Sequence, residues 1–152
     1  MDATTSPPIV NLPLLRDWVV PPILRLRDQF GPRISVANWV GERYLEQPQD
    51  MLDLKLQVGP GSLLGQDPDV EALGPDFYKV YADRRDVPLI LGIGAAFMAQ
   101  AQPGAVVERV RHYAKIGWRG GRFALYLCNL AANTPPENVQ AAVDAAHAVR
   151  PA

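Results

Sequence analysis

Apolar residues recur at four-residue intervals early in the chain, at Leu14, Trp18, Pro22, Leu26 and Phe30, with Leu15, Val19 and Ile23 alongside. That spacing predicts a helix over 11–30. Pro21 and Pro22 fall inside it. Proline lacks the N–H and its ring clashes with the preceding turn, so the pair should kink or restart the helix. Gly31-Pro32 ends it.

A regular alternation follows. "RISVANWV" reads as a strand and "PQDMLDLKLQVG" as a helix closed by Gly59. "GSLLGQ" is a short strand and "GPDFYKVYADRR" a helix. "VPLILGIG" is a fully apolar strand, and "PGAVVERVRHYAKIG" a helix with Pro103 near its start and Gly117 at its end. "RFALYLC" is a second apolar strand, and "TPPENVQAAVDAAHAV" the last helix. Thr134 suits the cap of that helix, Pro135 its first position, and Glu137 a capping box. One helix followed by four strand–helix units predicts an α/β fold with a parallel sheet. Continuous apolar runs fit such strands, because both their faces are covered. Residues 1–10 read as a flexible lead and 11–152 as one domain.

Composition narrows the function classes. The chain has 152 residues, 48% hydrophobic and 20% charged, with a formal net charge of −1. That balance gives no electrostatic case for nucleic acid or an anionic membrane. No apolar run approaches the roughly 20 residues of a membrane-spanning helix. The start, "MDATTSPPIVNL", lacks a signal-peptide pattern. A single cysteine, Cys128, excludes an internal disulfide and fits a reducing cytoplasm.

Parallel strands direct their carboxyl ends the same way, and ligands bind beyond those ends. The segments to inspect are therefore 38–43, 66–69, 92–97 and 128–133. Cys128 is either a thiol lining a site or a small apolar side chain closing a strand. Asn38 and Trp39 offer amide hydrogen bonds and ring stacking, although Trp39 equally suits a packed wall. Gly92 and Gly94 in "GIGAAF" allow close approach of something to the backbone. A phosphate loop is not completed by a third glycine. Asp67, before Pro68, is turn chemistry or a site carboxylate. Gly41, Tyr44 and Asn129 also sit where they can line a substrate. His112 and His147 fall within helices, away from the strand ends, and read as surface residues.

The segments "NLPLLRDWVVPPILRL", "ISVANWVGERYL", "VPLILGIGAAFM", "PGAVVERVRHYAKIG" and "GGRFALYLCNLAANTPPENVQAAVDAA" together resemble the C-terminal half of the uroporphyrinogen decarboxylase superfamily. That superfamily includes the cobalamin–coenzyme M methyltransferases. Its most specific piece is a glycine pair, a strand, a loop and a Thr-Pro-x-Glu-Asn helix start, here Gly120, Gly121, Thr134, Pro135, Glu137 and Asn138. The resemblance implies a (β/α)₈ TIM barrel, of which four strand–helix units are half. A half barrel exposes two sheet edges and an apolar interior. Another chain would complete it, either a second copy or a different subunit.

The methyltransferases use a His-x-Cys-Gly segment and a later cysteine to hold zinc, which activates a substrate thiol. Here the first segment reads Asn38-Trp39-Val40-Gly41, so the histidine and cysteine are replaced and only the glycine remains. Cys128 matches the later cysteine. The resemblance thus implies no zinc site within this chain alone, and Cys128 as a metal ligand only if a partner supplies the rest. It implies a corrinoid (cobalamin) as cofactor and a small-molecule substrate. The first expectation is a cytoplasmic small subunit active only with a partner half barrel, in methyl transfer, with Cys128, Asn38 and Asp67 as catalytic candidates. Alternatives are a decarboxylase or other lyase acting on a tetrapyrrole-like acid, and a non-catalytic subunit that completes or regulates a related enzyme.

Overall fold

The computed structural model describes residues 6–31 and 39–149. After Leu63 the chain divides into two compact units. The span 11–152, read above as one domain, is therefore taken unit by unit.

The first unit is helical. Residues 6–10, assigned above to a flexible lead, form a turn in which the N–H groups of Ile9 and Val10 both donate to Ser6 O, at 3.0 and 3.1 Å. Asn11 then caps α1 (Leu12–Leu14), its side chain accepting from Leu14 N at 3.0 Å. The chain continues through a wide π-helical turn, Leu15–Val19, into α2 (Val20–Phe30). The expected restart at Pro21 and Pro22 takes this form. The two prolines occupy the first turn of α2, where missing N–H groups cost nothing. A 3-10 turn at Glu42–Tyr44 and the helix α3 (Pro48–Val58) complete the unit. Leu15, Val20, Trp39, Met51, Leu54 and Val58 form its core. The strand expected over 33–40 falls mostly on 32–38, outside the described residues. Its last two residues, Trp39 and Val40, are described and are not in a strand.

The second unit is α/β. A small parallel three-stranded sheet is formed by β1 (Leu63–Gln66), β2 (Leu89–Ile93) and β3 (Phe123–Leu127), in that order. β2 and β3 pair in register from Leu89↔Phe123 to Ile93↔Leu127. Between them run α4 (Asp69–Leu73), α5 (Pro75–Arg84), α6 (Ala95–Gln100) and α7 (Pro103–Gly117); α8 (Pro136–Ala148) ends the unit. In α7, Val106, Val110, Tyr113, Ala114 and Gly117 are buried. Their spacing of three and four residues makes one helical stripe, which packs on β2, β3, α5 and α8.

Two expectations need correction here. β2 is buried almost throughout, as its apolar run predicts, whereas β3 is only half-buried and Ala124 is exposed. The reason is position: β3 lies at one border of the sheet, and among the described residues no strand pairs with its outer side. The last helix starts one residue later than its sequence suggests. Pro135 is the cap residue, with extended backbone, and Pro136 is the first helical residue. The Thr134 hydroxyl is buried and caps nothing, and no capping box forms.

Candidate functional site at the carboxyl ends of the strands

In the second unit the carboxyl ends of the three strands meet. β1 ends at Gln66, with Asp67 next; β2 is followed by Gly94, and β3 by Cys128. The Asp67 N–H donates to Gly92 O, and the Cys128 N–H to Ile93 O, both at 2.9 Å. Each strand end is thus tied to β2.

Asp67 is 5% exposed and its carboxylate is enclosed by donors. Oδ1 accepts the Tyr113 hydroxyl. Oδ2 accepts Arg109 Nη1 at 3.0 Å and the Gly94 N–H at 3.2 Å. The other arm of Arg109 reaches Glu71 at 2.8 Å, and its guanidinium lies 4.1 Å from the centre of the Phe97 ring. Burial pushes the Asp67 carboxyl above its ordinary value, opposed by the Tyr113, Gly94 and Arg109 contacts. Burial, and then the Asp67 charge, push the Tyr113 hydroxyl up as well, so it stays a donor. This network fixes the loops after β1 and β2 to α7. Asp67, expected as a catalytic candidate, therefore holds the carboxyl-end loops in place.

Cys128 is 5% exposed and is the only cysteine. Its thiol donates to Gln66 Oε1 at 3.4 Å, and the Tyr126 hydroxyl donates to the same oxygen at 2.7 Å. Burial pushes the thiol up from its ordinary value. A protonated thiol is a poor nucleophile and a poor metal ligand. Asn129 follows with φ 45°, in the left-handed region that non-glycine residues seldom adopt. It is exposed, as is Leu130.

The glycines expected to admit a ligand admit protein atoms. A Cβ on Gly92 would lie 2.5 Å from Tyr126 Cζ, and one on Gly94 3.0 Å from Asp67 Cβ. Close approach was the right inference, and the approaching groups are Tyr126 and Asp67.

The remaining candidates belong to the first unit. Trp39 is 2% exposed and packs in that unit's core, the wall reading offered above. Gly41 has φ 103°, and a Cβ there would lie 2.4 Å from Pro7 O. Its bareness lets the entering chain pass. Tyr44 is exposed beneath the Arg43 guanidinium, 4.2 Å from its ring centre. Glu42 and Lys55 form a buried ion pair. Asn38 lies outside the described residues. His112 and His147 are exposed on α7 and α8.

Sequence inspection assigned no role to Gln66, Arg109, Tyr113 or Asn138. Gln66 had a signal, being a polar residue closing a strand. Arg109 and Tyr113 stand four apart on α7, a spacing that places both on one face. Asn138 is 1% exposed, and its amide donates to Met98 O and Ala101 O, both at 2.8 Å, clamping the end of α6 to α8.

Among the described residues no three His, Cys, Asp or Glu side chains gather, and no helix is long and apolar enough to cross a membrane. Comparison with family models, curated proteins and solved structures finds no match for this chain.

Proposed function

We propose that this chain is the small subunit of a uroporphyrinogen decarboxylase-like enzyme, one half of a barrel, and that with a partner chain it transfers a methyl group to a substrate thiol. The observation that carries the reading is the meeting of Gln66, Asp67, Gly94 and Cys128 at the carboxyl ends of successive parallel strands. A barrel keeps its chemistry at that face. Support for a partner comes from the half-buried β3 and from an apolar cleft of about 170 Å³ beside it, lined by Leu125, Leu127, Val110 and Val143. A neighbouring strand–helix unit would cover both.

The residues here do not fit a zinc ion. Cys128 is the one family ligand retained, and its thiol is buried and turned to Gln66. Nor does that sulfur fit a ligand to a corrinoid. In this reading a methylated corrinoid enters as the methyl donor, a substrate. Gln66, Cys128 and Tyr126 form a fixed floor, the Asp67 network sets the loops, and exposed Asn129 and Leu130 face what binds above.

The test is co-purification of the chain with its partner from the native host. The complex is then assayed for thiol methylation from methylcobalamin, followed by the visible spectrum of the corrin. Turnover by the complex and none by the isolated chain is the expected result, with Cys128→Ser lowering the rate. A complex that leaves methylcobalamin untouched overturns the reaction class. Unchanged activity in the Cys128→Ser variant would reduce the thiol to packing.

A second reading, a non-catalytic subunit that completes a related enzyme, is favoured by the Asp67 carboxylate. Its oxygens are already taken by three donors of the chain itself. A partner active alone, and merely more stable in the complex, would support it.

A further inference from the structure

The guanidinium of Arg109 is fixed along one edge and loosely held along the other. Nη1 donates to Asp67 Oδ2 at 3.0 Å and to the Tyr113 hydroxyl at 3.4 Å. One face of the plane stacks on the Phe97 ring. Asp67 and Tyr113 are buried, so this part of the contact set is rigid. The other edge, Nε with Nη2, is the fork that takes a carboxylate by two parallel hydrogen bonds. Here the fork is half used. Nη2 donates to Glu71 Oε1 at 2.8 Å, and among the described residues nothing accepts from Nε.

Glu71 is a weakly held occupant. Its side chain is 55% exposed, against 15% for Arg109. It stands on α4, a helix of five residues. An ion pair of this exposed kind contributes about 0–1 kcal/mol. A carboxylate arriving from solution and taking both donors of the fork would displace it. The fork also adjoins Asp67, which holds the Gly94 N–H, at the strand ends where α/β folds bind ligands.

We propose that the Nε–Nη2 edge of Arg109 is a carboxylate-binding subsite, covered by Glu71 until a ligand carboxylate takes its place. The Glu71 carboxylate on Nη2 demonstrates that the position admits such a group. Charge narrows the class further. Arg109 already faces two acids, Asp67 and Glu71. A monocarboxylate replaces the Glu71 charge one for one. A phosphate dianion would add another negative charge beside Asp67, which a single arginine does not offset. The inference goes beyond methyl transfer and does not need it, since binding is read with no methyl donor present.

The experiment follows the Arg109 Nε–H resonance of the full chain by proton–nitrogen NMR, as acetate is added at constant ionic strength. The expected result is a saturable shift with a dissociation constant of millimolar order, fitting so small an anion. Glu71→Gln removes the competing charge and should tighten binding up to about fivefold, equivalent to the ~1 kcal/mol of an exposed pair. Arg109→Lys keeps a positive charge beside Asp67 but loses the fork. It should weaken binding at least about tenfold, read from the backbone amides of Glu71 and Gly94. Circular dichroism checks the fold of each variant. Glu71 is exposed, so its arm of the test stands even where the lysine variant fails to fold. Four results overturn the proposal: no saturable shift up to about 50 mM acetate, far above a millimolar constant; equal binding by the parent and Glu71→Gln; undiminished binding by a folded Arg109→Lys; or inorganic phosphate binding as tightly as acetate.

Discussion

Replacing Gly92 by alanine should disturb the strand-end site without removing any of its polar atoms. The new Cβ would lie 2.5 Å from Tyr126 Cζ, 2.6 Å from Cε1 and 2.7 Å from the hydroxyl oxygen. Carbon atoms settle about 3.5–4.0 Å apart, so the ring must retreat by about 1 Å. Gly92 sits directly across from Tyr126 in the β2–β3 register, so the backbone offers little room to give. Overpacking of this kind costs about 1–3 kcal/mol. Retreat also pulls the Tyr126 hydroxyl from Gln66 Oε1, now 2.7 Å away, which adds about 1 kcal/mol. The sum is about 2–4 kcal/mol, read from urea unfolding followed by circular dichroism. Gly92→Ala with Tyr126→Val should recover much of it, giving a coupling of at least about 1 kcal/mol in the double-mutant cycle. A single variant within about 0.5 kcal/mol of the parent, or strictly additive effects, would refute the reasoning.

Three further outcomes follow from other buried groups. Asn138→Ala removes two hydrogen bonds and strands two carbonyls, costing about 2–3 kcal/mol in unfolding experiments, with Asn138→Asp worse because a carboxylate would face the same two oxygens; an alanine variant as stable as the parent rejects the clamp. The folded pKa of Asp67 lies above the ordinary 3.8, so the folded chain binds this proton more tightly than the unfolded one, and stability falls as pH rises from about 3.8 through the folded value; Asp67→Asn should remove that slope, and an unaltered pH profile counts against it. Lys55→Met leaves the Glu42 carboxylate buried without its lysine and should cost about 3–5 kcal/mol, much of it returned by adding Glu42→Leu; a fully additive pair would show that the two side chains act independently.

Periodicity served best where one face meets one core. The α7 stripe is legible because burial selects residues three and four apart, and β2 because both its faces are covered. α4 and α6, five and six residues long, are too short to show a period. The four-residue row of Leu14, Trp18, Leu26 and Phe30 announces a helix correctly, yet spacing alone cannot say which of two adjacent stripes turns inward. The site was legible as a place and not as a network. Strand direction locates Gln66, Asp67, Gly94 and Cys128, whereas the contact of Asp67 with Tyr113 joins residues 46 apart, which no local pattern encodes. The cap of α8 was misread because two successive prolines each suit the first helical turn, and the backbone took the second.

The wide turn at Leu15–Val19 sets the phase of everything upstream of it. A stride of four residues overshoots a regular 3.6-residue turn by about 40°, so a row with that stride winds steadily around an ordinary helix. A π-helical turn holds more than four residues and winds some of that angle back. The wide turn thus absorbs one extra residue: deleting a residue there would return the segment to regular helix and leave Leu14 close to its present phase relative to Leu26 and Phe30.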